Sequence, residues 1–67
     1  MNRETWIAGI EDELLDLEER EYRIARLMET EEYKRLDIRQ KELLEMEDEI
    51  ICFLITLVTK RLEVARR

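Results

Sequence analysis

Histidine, serine and proline do not occur in this chain of 67 residues, and glycine, cysteine and tryptophan occur once each, as Gly9, Cys52 and Trp6. Each absence removes a class of chemistry. Without serine or histidine, a Ser-His-Asp or Cys-His arrangement cannot be assembled. Without histidine or a second cysteine, the ligand spacings of zinc sites are missing, and no internal disulfide can form. One glycine leaves no phosphate-cradling loop. A lone cysteine inside an apolar run is read as packing rather than chemistry. No catalytic residue, metal ligand or cofactor is therefore assigned.

What is present is charge: 45% of the residues are Asp, Glu, Lys or Arg, the composition of long exposed helices. The net charge of −6 disfavours duplex nucleic acid and anionic membrane as partners, because a polyanion needs a basic footprint. Met1-Asn2-Arg3-Glu4-Thr5-Trp6 has no long apolar core, so no signal peptide is expected and the protein reads as cytoplasmic. A chain this short makes one domain, 1–67, which usually needs disulfides, metal or oligomerisation to be stable. Only oligomerisation is open to it.

One apolar stretch stands out, from Ile50 to Val58, in which Thr56 is the only clearly polar side chain. It is well short of the ~20 residues that span a bilayer. A β-strand would suit its β-branched residues, but helical spacing continues on both sides and no turn residues bound it. A helix in a hairpin buries one stripe only, so a segment that is apolar all round implies further copies of the chain. Ile50, Ile51, Phe53, Leu54, Leu57 and Val58 are accordingly the expected oligomer core.

Ile7, Ile10, Leu14, Leu17, Ile24 and Met28 keep a 3-4 spacing broken at Glu21, close to a coiled-coil heptad, and predict a helix over about 3–29. Asp16 with Arg20 and Glu19 with Arg23 stand four apart with the acid first, which favours a helix. Gly9 inside that helix reads either as a point of close approach or as a surface glycine. Thr30 can cap a short corner helix at 31–36, and Asp37 with Gln40 reads as a capping box opening a helix over about 38–65. The last helix carries two stripes: Leu43, Met46, Ile50, Phe53, Leu57 and Val64, interrupted by Lys60, and Leu44, Ile51, Leu54, Val58 and Ala65. One would pack on the first helix and the other on a symmetry mate. The expected architecture is all-α: an antiparallel helical hairpin with a short corner helix, assembling into a homo-oligomeric helical bundle.

Residues 50–67 carry a single acid, Glu63, against Lys60, Arg61, Arg66 and Arg67. In an antiparallel hairpin this basic end returns beside Arg3 and Trp6, with hydroxyls from Thr56 and Thr59 near by. An aromatic plane among cations is what base stacking with phosphate neutralisation requires, so Arg3, Trp6, Lys60, Arg61 and Arg66 are the candidate ligand-binding residues. The plainer accounts are dipole compensation by the basic end and a Trp6 that staples the helix start onto Leu57, Arg61 and Leu62. Glu18-x-x-Glu21 and Glu42-x-x-Glu45 have a spacing used by helical magnesium enzymes, but in a glutamate-rich chain that spacing arises by chance.

Leu14-x-x-Leu17-x-x-Arg20, Leu27, Thr30-Glu31-Glu32-Tyr33-x-x-Leu36, Leu43-Leu44 and Leu57-Val58-x-x-Arg61-Leu62 together resemble the small, mostly uncharacterised helical proteins of tailed phages and prophages. These include a group related to a crAss-like phage protein. The resemblance covers roughly residues 7–62. It departs at Glu47, where those proteins commonly have glutamine, and near Leu54, where they have an aromatic. It implies a phage origin and an accessory role in an infected bacterial host, such as evasion of immunity. Oligomeric phage proteins of this size include some that sequester cyclic nucleotide signals without cleaving them. The functional expectation is therefore stoichiometric capture of such a signal in a pocket between subunits. The alternatives are an inhibitor or adaptor that binds a host protein, and a structural phage component.

Overall fold

The computed structural model describes residues 2–67, and within them the chain is all-helical. Helix α1 runs Arg3–Met28, α2 Glu31–Lys34 and α3 Ile38–Ala65. The two long helices pair as a hairpin 48 Å long and about 16 Å across. Among the described residues no helix is long and apolar enough to cross a membrane.

Each helix starts where a short polar side chain satisfies backbone donors that the first turn leaves unpaired. The Asn2 side chain accepts from the Thr5 amide at 2.8 Å, and Asp37 Oδ1 accepts from the Gln40 amide at 2.8 Å. Thr30 does two jobs at the corner. Its hydroxyl donates to the Leu27 carbonyl at 2.6 Å, closing α1, and accepts from the Tyr33 amide at 3.2 Å, opening α2. The corner helix stops at Lys34, shorter than the 31–36 expected, with Arg35 as its C-cap and Leu36 half-buried. Tyr33 pins the corner to α3: its hydroxyl lies 3.2 Å from Glu45 Oε1, and Lys41 Nζ lies 5.8 Å from the ring centre.

The core is one row of side chains between α1 and α3. Ile10 and Leu17 face Ile51, Val58 and Leu62, with Ile7, Leu14, Ile24, Leu54, Ile55 and Ala65 packed around them. The stripe through Ile51, Leu54 and Val58 is thus the one that closes the hairpin. Arg20 reaches across to Glu47 at 3.8 Å rather than back to Asp16. Gly9 is exposed, and nothing lies within 4 Å of the position a Cβ would take, so no close approach within the chain explains it.

Candidate functional site

At the open end of the hairpin the basic end of α3 does lie beside the start of α1. The last carbonyls of a helix lack intrahelical donors and carry its negative pole, which draws cations. Arg3 answers both needs, donating from Nε to the Ala65 carbonyl at 3.2 Å and from Nη2 to the Arg67 carbonyl at 2.9 Å. Arg66 Nη2 pairs with Glu11 Oε2 at 2.8 Å, and Arg61 Nη1 with Glu13 Oε2 at 2.9 Å, while the Arg61 guanidinium stands 5.9 Å from the Trp6 ring centre. The five candidate binding residues therefore share one end, but Arg3 and Arg66 already serve the hairpin itself. Trp6, Lys60 and Arg61 line a common cleft of about 380 Å³ whose other walls are Ile10, Leu57, Val64 and Ala65. Thr56 and Thr59 turn their hydroxyls onto their own helix, to the Cys52 and Ile55 carbonyls. The cleft is apolar-walled, with cations at its rim.

The six residues expected to form an oligomer core divide by face. Ile51 is 2% exposed and Val58 equally closed, both inside the hairpin, and Leu54 is half-buried. Ile50, Phe53 and Leu57 point outward, Phe53 being 70% exposed. They belong to a longer line in which Leu43, Met46 and Val64 are also exposed. The spacing along that line alternates three and four residues, the a and d positions of a heptad, with Lys60 at the one d position that is not apolar. Isolated exposed apolar side chains are ordinary; a contiguous row of this length is not.

A third cluster lies midway along the hairpin. Glu21, which breaks the apolar spacing of α1, meets Asp48 and Cys52, one turn apart on α3, with donor atoms of all three within 4.8 Å of one another. Glu21 Oε2 and Asp48 Oδ1 are shut off from solvent without a hydrogen-bond donor. Two carboxylates this close cannot both ionise cheaply. Hydrogen bonding to Asp48 raises the Glu21 pKa above the ordinary 4.5, with burial and the Asp48 charge adding to the effect and Cys52 opposing it. Desolvation of this exposed cysteine's sulfur, then Glu21, pushes the Cys52 thiol up, the direction that disfavours a thiolate. These atoms could offer three ligands to a cation. The sequence signal for this cluster was the charged residue interrupting the α1 stripe. The partner on α3 follows only from the hairpin register. Of the paired glutamates, Glu42 is 3.6 Å from Arg39 and Glu45 is held by Tyr33, so they do not converge on one point.

A comparison with family models, with curated proteins and with solved structures found no match to the chain.

Proposed function

We propose that the protein is a non-enzymatic, self-associating helical binding protein, in which the exposed line on α3 is the assembly surface and the acidic outer faces engage a basic host protein. The observation that carries this is the heptad-spaced row from Leu43 to Val64, left open by a hairpin that has already closed its core. Acidic side chains such as Asp12, Asp16, Glu18 and Glu19 are exposed on α1 and give the assembly a negative field for such a partner. The sequence resemblance to small phage proteins supports an accessory role during infection for such a binder. Light scattering tests the assembly: wild-type protein is expected above its chain mass of 8.3 kDa, and Phe53→Glu at that mass with helicity retained. A wild-type monomer, or a Phe53→Glu variant that assembles like wild type, removes the reading. Partner binding should weaken as salt rises, since exposed charges are screened over ~8–10 Å near physiological ionic strength.

A second reading rests on the Trp6–Arg61 stack with Lys60 beside it, namely capture of a cyclic nucleotide signal at the open end. Titration calorimetry against cyclic di- and trinucleotides decides between the two. Heat and thermal stabilisation that are lost in Trp6→Ala favour capture; no response from any of them leaves protein binding.

A further inference from the structure

We infer that the occupant of the exposed α3 line is α3 of a second copy running antiparallel, and that this places the partner's Met46 in the cleft beside Trp6. The inference rests on the self-association proposed above and adds its geometry.

Size and spacing point to a helix of the same kind. Leu43, Met46, Ile50, Phe53, Leu57 and Val64 run ~31 Å along the helix. With Trp6 next to the line's end, the exposed fractions of these side chains amount to roughly the ~800 Å² that one partner contributes to a standard-size interface. A strict alternation of three and four is the pattern for knobs-into-holes packing against another helix.

Charge fixes the direction. Between 41 and 49, α3 carries Glu42, Glu45, Glu47, Asp48 and Glu49 against Lys41, whereas its end carries Lys60, Arg61, Arg66 and Arg67 against Glu63. A parallel pair would set acid beside acid, with Glu42 next to the partner's Glu47, and base beside base. An antiparallel pair centred near Ile55 sets the acidic stretch of each helix beside the basic end of the other, with Glu49 beside the partner's Glu63 as the one like-charge contact left. Phe53 then opposes the partner's Leu57, and Ile50 the partner's Lys60. Along one edge Glu47, already 3.8 Å from Arg20 of its own chain, meets the partner's Arg61, whose own chain pairs it with Glu13 at 2.9 Å. Along the other, Lys60 lies between its own Glu63 and the partner's Glu49. No ion pair occupies Lys60 among the described residues. Its place in an apolar line is explained if it is the position that sets register and direction, at some cost in stability.

The same register brings Val64 opposite the partner's Met46. Val64 is a wall of the cleft that also holds Trp6, Ile10 and Leu57. An unbranched thioether against an aromatic edge is a favourable filling for such a space. Within one chain Met46 and the Trp6 cleft lie at opposite ends of α3, about 20 Å apart, so any contact between them is made in trans.

Two measurements test this on the full chain. A nitroxide on Glu42→Cys, in a Cys52→Ser background, should report an inter-label distance near 40 Å in the assembly, from 26 residues of rise at ~1.5 Å each. A distance under about 20 Å means a parallel pair and overturns the inference. Trp6 is the only tryptophan. Its emission should shift to longer wavelength in Met46→Ala at concentrations where light scattering still gives the wild-type mass. Emission unchanged by that substitution also overturns the inference. If the wild-type protein is monomeric, the proposed self-association falls with it; if it assembles but either spectroscopic result is contrary, only the geometry falls.

Discussion

Glu21 is the residue whose behaviour the hairpin changes most. Its carboxyl holds a proton more tightly in the folded chain than in the unfolded one, so its contribution to stability is full below the ordinary pKa of 4.5 and is lost as pH rises through the raised folded value. At neutral pH the pair with Asp48 is therefore a net burden. Glu21→Gln should melt above wild type at pH 7, and that advantage should vanish as pH falls below about 4.5. Circular dichroism melts across this range check it through the difference between the two proteins, which separates Glu21 from the exposed ion pairs. A stability difference between the two proteins no larger at pH 7 than at pH 4 contradicts the raised pKa of Glu21. Gly9 gives a second prediction. With open space where a Cβ would go and a helical backbone, Gly9→Ala should gain about 1 kcal/mol of helix propensity, a rise of roughly 4–8 °C in Tm for a domain of this size. The interruption at Glu21 was legible in the spacing of α1. Its meeting with Asp48 was not, because no local pattern records which turn of α3 lies opposite.

At the scale of elements, short polar side chains decide where each helix begins. Thr30 and Asp37 were legible as caps because each precedes an amide three residues on that has no other partner. Replacing Asp37 by alanine should cost about 1 kcal/mol, read from urea unfolding, with helix content nearly unchanged in the native baseline. Thr30→Ala should cost at least as much, since it also releases the Leu27 carbonyl. The arginines were less legible. Arg20 looked like the partner of Asp16 and instead spans to Glu47, and the hydrogen bonds by which Arg3 caps α3 have no signal in the local sequence. A long guanidinium stem reaches several acceptors, and the one it takes depends on what the fold brings within range.

For the whole molecule, the two stripes of α3 predict two kinds of mutant. Ile51→Ala removes volume from the closed core and should cost ~2–5 kcal/mol at any protein concentration. Phe53→Ala leaves that core intact, so on the proposed self-association its cost should appear only as protein concentration rises, by mass action. Urea midpoints at low and high concentration separate the two. Equal, concentration-independent losses at both positions contradict the division of labour between the stripes.

By itself the sequence determined that the chain is helical, where its breaks fall and that α3 carries more apolar surface than one helix can cover. These follow from local physics: proline-free charged stretches, 3-4 spacing and side chains that bond to amides three residues away. Only the tertiary structure decided that Ile51 and Val58 face α1 while Ile50, Phe53 and Leu57 face outward. Both stripes are apolar enough to be buried. The choice between them depends on the phase at which α3 leaves the corner capped by Asp37 and on the fit to Ile10 and Leu17, a long-range match that no single segment encodes.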